Sequence, residues 1–261
     1  MGIDLIIGGN GFVGSNLRKI FPLAMAIGRD SNLSFDELYF RNVYCAAPQA
    51  KKWWANMHPD LDRGMVDQLL STCRRIRYSG NFYLFSTVDV YSNPNGVSEL
   101  CEPSVSAPGY GENRRYLETK LRDQLHSTLK VIRLPGLVGE GLKKNVIFDL
   151  LTLNQGVKID LKSRFQWFNL ANLPYVLSLV ESIISDYSVL NVATCPVSVS
   201  DIVARWFEDV RLNFVYGEEA ASYDVRSIYG SSESGYIFSY QQIMEDHLEP
   251  FVNQWRKNCL S

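Results

Sequence analysis

The sequence predicts an α/β protein: a doubly wound, mostly parallel sheet with a small α+β lobe toward the C terminus. Three observations carry this reading. Short apolar runs of strand length alternate with segments of helical periodicity along most of the chain. The first run, Ile3 to Ile7, passes at once into Gly8-Gly9-Asn10-Gly11-Phe12-Val13-Gly14 and then into a helical segment, Ser15 to Phe21. The chain has 261 residues and 46% hydrophobic content, enough for one large core or for a core plus a smaller lobe.

Glycines spaced by three fall at 8, 11 and 14. Gly8 permits a tight turn, Gly11 lets the backbone approach a pyrophosphate, and Gly14 lets the helix pack close to the strand. The helix N-terminus adds unpaired N–H groups and the positive end of its dipole. Strand, glycine turn and helix start, in that order, read as a dinucleotide cradle.

Leu23 to Ile27 is the second strand, and it ends in Gly28-Arg29-Asp30. This point of such a sheet meets the adenosine ribose. Arg29 suits a 2′-phosphate and favours NADP; Asp30 beside it keeps NAD in view. Ser34 to Leu38 reads as a capped turn, with Ser34 as N-cap and Glu37 three residues on. Asn42 to Ala47 is the third strand. The small Ala46 and Ala47 at its end let a cofactor lie against the backbone, and the short crossover before it leaves a flanking helix vestigial. Pro59 to Arg77 is helical, with Leu61, Met65, Leu69 and Ile76, and Val66 and Leu70 beside them, at helical spacing. The Trp53-Trp54 pair ahead of it reads as packing. Asn81 to Ser86 is the fourth strand and continues into Thr87-Val88-Asp89-Val90-Tyr91. Ligands of open α/β sheets bind beyond the carboxyl ends of the strands, so the Ser86 and Thr87 hydroxyls are placed for chemistry.

A polar loop over residues 97–109 leads to a helix from Tyr110 to about Leu129. Val131 to Leu134 is a strand, followed by the glycine-rich Pro135 to Gly141. Then come a helix (Asn145 to Leu153), a strand (Phe165 to Leu170), a helix (Asn172 to Ile184) and a strand (Val189 to Ala193). Ser198 opens a helix to about Val210, Leu212 to Tyr216 is a strand, and Ser239 caps a final amphipathic helix to about Trp255.

Composition excludes several classes. The net charge of −2 and pI near 6.0 give no basic excess for nucleic acid or a lipid surface. No apolar run approaches the roughly 18 residues of a membrane span. The five cysteines are scattered, without a C-x-x-C, which argues against a disulfide framework. With an N terminus that enters a strand directly, no signal peptide and a cytoplasmic location are expected. His58, His126 and His247 have no zinc-ligand spacing, so no metal is expected and they read as surface or packing residues.

Four segments together resemble one family. They are Gly8-x-x-Gly11-x-x-Gly14, Phe85-Ser86-Thr87-x-x-Val90-Tyr91, Tyr110-Gly111-Glu112-Asn113-Arg114 with Glu118, and Val131-Ile132-Arg133-Leu134-Pro135-Gly136-Leu137-Val138-Gly139. In order and spacing they are similar to the extended short-chain dehydrogenase/reductases, the NAD-dependent epimerase/dehydratase family of nucleotide-sugar enzymes. The resemblance covers residues 1 to about 195 well and the C-terminal quarter loosely. It implies a Rossmann domain, a nicotinamide dinucleotide and a Ser/Thr–Tyr–Lys catalytic group. In that group the Tyr is general acid/base, the hydroxyl residue polarises the substrate oxygen, and the Lys lowers the Tyr pKa and holds the nicotinamide ribose.

Carried onto this chain, Thr87 takes the hydroxyl position. Two tyrosines compete. Tyr116-Leu117-Glu118-Thr119-Lys120 matches Tyr-x-x-x-Lys literally, whereas Tyr110 pairs with Arg114 at the same i, i+4 spacing. Six residues of helix are about 9 Å of rise and about 240° of rotation, so the two cannot serve one site interchangeably. The family's tyrosine follows its hydroxyl residue by some two dozen positions and precedes a glycine at the helix start, which favours Tyr110. Arg114 then stands where the family has lysine. It keeps the positive charge but cannot relay a proton as lysine can.

The resemblance places the cofactor against Gly8, Gly11, Phe12, Val13, Gly14, Arg29, Ala46, Ala47, Tyr110, Arg114 and Pro135, and the substrate against Asp89, Lys144, Asn145 and Gln166. It implies a dinucleotide-binding domain over residues 1–140 with returning segments near 165–195, and a small, intertwined substrate lobe over 141–261. The expected function is that of an NAD(P)-dependent oxidoreductase or epimerase acting on a hydroxyl or keto group of a nucleotide-activated sugar. The rival is a non-catalytic Rossmann protein that binds NAD(P) as sensor or scaffold, motivated by Arg114. Relatives often form homodimers, which keeps that assembly in view.

Overall fold

The computed structural model of the chain describes residues 2–28, 35, 38–104, 108–183, 188–217 and 220–260. Arg29, Asp30, Ser34 and Glu37 lie outside the described residues, and with them the NADP preference and the capped turn. The chain divides into two units: Met1–Asn93, Glu99–Leu134 and Leu173–Asn191 in the first, Pro94–Ser98, Pro135–Asn172 and Val192–Ser261 in the second.

The first unit contains β1 (Leu5–Ile7), α1 (Phe12–Ile20), β2 (Met25–Ile27), β3 (Val43–Cys45), α2 (Lys52–Met57), α3 (Pro59–Cys73), β4 (Phe82–Thr87), α4 (Tyr110–Leu125), β5 (Leu129–Leu134), α5 (Leu173–Ser182) and β6 (Ser188–Asn191). Its six strands lie in the order β2-β1-β3-β4-β5-β6, all parallel. After β2 the chain crosses to the far side of β1. The switch point therefore falls between β1 and β3, where the crevice of a doubly wound sheet opens. No helix is found among the described residues between β2 and β3.

Period-2 alternation sends Leu5, Ile7, Val43, Cys45, Phe82, Leu84, Leu129 and Val131 to one face. There they pack with Val66, Leu70 and Cys73 of α3 and Leu117 and Leu121 of α4. The buried stripe of α3 is Asp62, Val66, Leu70 and Cys73. This corrects the expected stripe, because Leu61 is exposed and Met65 and Leu69 line a cavity. The helix also ends at Cys73, and Arg77–Tyr78 pairs instead with Tyr39–Phe40 as a short parallel ladder. A second correction concerns Trp53, which is 60% exposed and is not packing; α2 has only six residues and buries Ala55 alone.

The second unit is built from short pieces. The expected strand over 165–170 is two: Arg164–Phe165 pairs antiparallel with Val197–Ser198, and Trp167–Asn169 pairs parallel with Gly136–Val138. Gln166 marks the break, because its side chain turns inward. Ser239 closes a capping box with Gln242, and the helix it opens passes through a π-helical stretch, Ile243–Leu248, before running to Leu260. Among the described residues no helix is long and apolar enough to cross a membrane.

His247, in the π-helical stretch, is 1% exposed. Its Nδ1 accepts from the Asn169 backbone N–H at 3.0 Å, and its ring sits 4.6 Å from Phe238 and 5.5 Å from Phe168. Burial among these rings pushes its pKa down from 6.5 to about 4. The unfolded chain therefore binds a proton that the folded chain refuses between these values. The stability His247 contributes is present above pH 6.5 and is lost as pH falls toward 4. Equilibrium denaturation should lose about 2 kcal/mol from this residue between pH 7 and pH 5. That part of the slope should vanish in His247→Gln; an unchanged slope in the variant would assign the acid sensitivity elsewhere.

Candidate active site

The cradle is built by close approach of backbones. Gly8 has φ +84°, and a Cβ there would lie 2.6 Å from Ala47 Cα. Ala46 N–H donates to Ile7 O at 2.9 Å, holding the end of β3 beside the turn. At Gly14 a Cβ would lie 2.1 Å from Gly8 O, so α1 can start directly against the turn only with glycine there. Gly11 is the N-cap of α1, and no side chain caps the helix. The N-terminal N–H groups over Phe12 and Val13 are thus left to an external acceptor, the property that makes a helix start an anion site. A cavity lined by Ile7, Ile27, Gly28, Ala47, Pro48 and Gln49 continues along α3 to Met65, Leu69 and Thr72, with Asp62 and Arg114 in its wall.

The ends of β4 and α4 are locked together. Thr87 ends β4, and its Oγ1 accepts from Asp89 N at 3.1 Å, capping the 3-10 turn Val88–Val90. Gly111 lies on this turn: a Cβ there would be 2.2 Å from Asp89 O. Asn56 Oδ1 accepts from Tyr110 N at 2.9 Å and satisfies the first N–H of α4. Tyr110 is thereby set near Thr87 and beside Arg114, whose Cζ is 4.7 Å from the tyrosine ring centre. Burial raises the Tyr110 pKa; the Arg114 charge opposes this, Asp89 adds to it, and the nearby Arg114 and Thr87 side chains favour the ionised form. The phenol carries its proton at neutral pH.

Arg114 is 2% exposed and ion-paired to Asp62, itself 1% exposed, at 2.9 Å. Tyr116 points elsewhere. Its hydroxyl donates to Asp67 Oδ1 at 3.0 Å, and the Arg63 guanidinium covers its ring at 3.8 Å. Lys120 lies on that same ring, at 5.6 Å. The literal Tyr-x-x-x-Lys pair is therefore part of the α3–α4 packing, and Thr87, Tyr110 and Arg114 are the residues brought together.

Behind them runs a buried polar chain. Ser86 Oγ donates to Glu118 Oε1 at 2.6 Å. Arg133 grips Glu118 with Nε at 3.1 Å and Nη2 at 2.7 Å, and its Nη1 donates to Tyr91 Oη at 2.7 Å. Asn191 Nδ2 donates to the same hydroxyl at 3.1 Å. Four elements, β4, α4, β5 and β6, are joined by this chain.

Of the remaining candidates, Asp89, Asn145 and Gln166 have visible structural duties. Asp89 pairs with Lys52 Nζ at 2.7 Å. Pro135, Lys144, Asn145 and Gln166 belong to the second unit. Asn145 accepts from Phe148 N at 2.9 Å as the N-cap of the helix Val146–Leu151, and its Nδ2 donates to Leu137 O. Gln166 is 2% exposed; its Nε2 donates to Val225 O at 2.7 Å and its Oε1 accepts from Val225 N at 2.8 Å. Lys144 is exposed. Asp62 and Asn56 went unnoticed in the sequence. Asp62 had a signal: it is an acidic residue in phase with Val66 and Leu70 on the buried stripe. Asn56 had none, because its partner lies 54 positions away.

A parallel sheet with a switch point, a glycine cradle at the first strand end and a Thr–Tyr–Arg cluster at the fourth define a doubly wound α/β protein. Among solved structures the chain is similar over its whole length to three nucleotide-sugar proteins. MoeE5 in complex with UDP-glucuronic acid and NAD shares 20% identity over 99% of this chain and 100% of the other, with a TM-score of 0.75. The UDP-N-acetylglucosamine 4-epimerase of Methanobrevibacter ruminantium M1 in complex with UDP-N-acetylmuramic acid shares 14% over 98% and 99%, with a TM-score of 0.75. The dTDP-4-dehydrorhamnose reductase of Yersinia enterocolitica shares 14% over 98% and 100%, with a TM-score of 0.71. No protein-family model and no curated sequence matches the chain. At these identities the likeness establishes the fold: the chain has the Rossmann-type fold of these epimerases and reductases.

Proposed function

We propose that the chain is an NAD(P)-dependent oxidoreductase or epimerase acting on a hydroxyl or keto group of a nucleotide-activated sugar. The observation that carries this is the meeting of Thr87, Tyr110 and Arg114 at the carboxyl end of β4, within the unit that holds the Gly8–Gly14 cradle. The similar structures with bound UDP-sugars and NAD support it.

The residues fit a dinucleotide on two independent features. The cradle has room only for backbone, and the helix start behind it is uncapped. Arg114 Nε and Nη1 are buried without a hydrogen-bond partner, donors that ribose or carboxamide oxygens would satisfy. Gly8, Gly11 and Gly14 with the Phe12 and Val13 backbone would hold the diphosphate, Ala46 and Ala47 would flank it, and Arg114 would hold the nicotinamide half. When bound, the nicotinamide supplies two-electron exchange with a carbon. Tyr110, protonated at rest, donates its proton to the oxygen of a carbonyl undergoing reduction and recovers one from a hydroxyl undergoing oxidation. The Thr87 hydroxyl holds that oxygen, and the Arg114 charge stabilises the tyrosinate left behind. Pro135 and Lys144 are assigned to the cofactor and substrate sides on resemblance alone. Asn145 and Gln166 act through the loops they hold.

NADH fluorescence titration tests the cofactor step. The wild type should bind NADH or NADPH, and Gly14→Ala should weaken binding by about 100-fold, because the methyl group displaces either the turn or the helix start. Absence of binding by the wild type, or equal binding by Gly14→Ala, would contradict the proposal.

A further inference from the structure

Arg114 and Arg133 are both buried arginines on the same unit, and they are held differently. Arg133 engages three nitrogens, two of them in a fork on Glu118. Arg114 uses one. Its Nη2 donates to Asp62 Oδ1 at 2.9 Å and to Gln49 O at 2.8 Å, while Nε and Nη1 have no partner. The fork geometry of an arginine–carboxylate pair is the stronger arrangement, and it is not used here. Asp62 is unable to offer it: its second oxygen accepts from Asn113 Nδ2 at 2.8 Å. Asn113 is fixed in turn, donating to Pro59 O at 2.9 Å and accepting from Arg63 Nε at 2.7 Å. The carboxylate is thus locked in an orientation that takes only Nη2 of the guanidinium and leaves Nε and Nη1 unbonded, on a residue that lines the cavity.

We propose that Asp62 is a positioning residue for the cofactor site: it holds Arg114 by Nη2 so that the separate Nε–H and Nη1–H donors stay fixed for acceptor oxygens of the bound dinucleotide. This rests on the function proposed above. A buried arginine placed only for stability would leave no donors empty, since each unpaired buried donor is unfavourable. Asp62 has a second consequence. Its negative charge offsets that of Arg114, whose guanidinium lies against the Tyr110 ring. The other charged groups facing this cluster are Asp89, paired to Lys52 of α2, and Arg63 of α3, which bonds Asn113 and lies 3.5 Å from Glu112. Loss of the Asp62 charge leaves Arg114 unopposed beside the phenol and makes Tyr110 more acidic.

The test uses the full chain and NADH as the probe, with Asp62→Asn, Arg114→Lys and the double variant. Asp62→Asn should weaken NADH binding by about tenfold, the scale of one charge-assisted hydrogen bond. In the Arg114→Lys background the same change should matter less than about twofold, because Asp62 acts through the guanidinium. In the absence of any ligand, the tyrosinate absorbance assigned to Tyr110 (by difference from matched Tyr110→Phe proteins) should develop about one pH unit lower in Asp62→Asn. Equal losses in both backgrounds, or a lower melting temperature with an unmoved tyrosinate band, would reduce the pair to a structural ion pair and overturn the proposal. If Asp62→Asn does not fold, the doubly neutral Asp62→Asn/Arg114→Gln protein replaces it. That protein should also bind NADH about tenfold more weakly, and wild-type affinity in it would be equally fatal. A wild type that binds no NADH removes the proposed function itself, which separates the two failures.

Discussion

On the function proposed above, Tyr110→Phe should lower turnover by about 10²- to 10⁴-fold while NADH binding stays near wild type. The phenylalanine keeps the ring against Arg114 and removes only the hydroxyl that faces Thr87. Proton transfer to or from the substrate oxygen then falls to water, which is neither positioned nor matched in acidity. Tyr116→Phe is the internal control. It loses one partly exposed hydrogen bond to Asp67 and keeps the Arg63 stacking, so turnover stays within about threefold and stability falls by about 1 kcal/mol. The measurement is initial rate by nicotinamide absorbance over a panel of UDP- and dTDP-linked sugars, with binding measured on the same preparations. If Tyr116→Phe were the inactive protein, the site would have to be rebuilt around Lys120. A wild type that binds NADH tightly and turns over no sugar would favour the sensor or scaffold role.

The second large effect concerns stability. Glu118 is fully buried, and Arg133 beside it is 2% exposed. Glu118→Ala removes the carboxylate from a bidentate pair and leaves Arg133 Nε and Nη2, and the Ser86 hydroxyl, without their acceptor. Breaking one side of a buried ion pair is destabilising by about 3–5 kcal/mol, because the surviving charge stays desolvated. For a chain of this size that is a fall of roughly 10 °C in Tm. Glu118→Gln retains one acceptor oxygen and should lose less than the alanine variant. Thermal and denaturant melts decide it, and a loss below about 1 kcal/mol for Glu118→Ala would show that solvent reaches Arg133. Because Glu118 and Tyr110 share α4, and Ser86 and Thr87 are adjacent in β4, weakening this chain should also loosen the placement of Tyr110 against Thr87.

Much of this was legible along the chain, for a common reason. The strand, turn and helix of residues 5–20 are contiguous; Gly8 is required by its φ of +84°, and Gly14 by the Gly8 carbonyl within that same stretch. Strand and helix order follows from apolar periodicity, with ends displaced by a few residues where caps and turns intervene. Leu23 is exposed and β2 starts at Met25; α4 stops at Leu125, where the next residue, His126, takes φ +46°. Side-chain partners were less legible. Asn145 and Gln166 fell in segments assigned to the substrate, and the fold uses their amides as a helix cap and a backbone clasp.

By itself, the sequence determined the class of fold and the cradle, because each rests on backbone geometry that local residue types impose, and the pairing of Thr87 with a tyrosine followed by glycine rested on the family resemblance. Only the tertiary structure decided what surrounds that tyrosine. It turned Tyr116 and Lys120 to the α3–α4 packing, and it put Asp62, 52 positions from Arg114, against Nη2 of the guanidinium. Which buried charge meets which depends on how helices dock across a sheet, and no spacing within either helix encodes it.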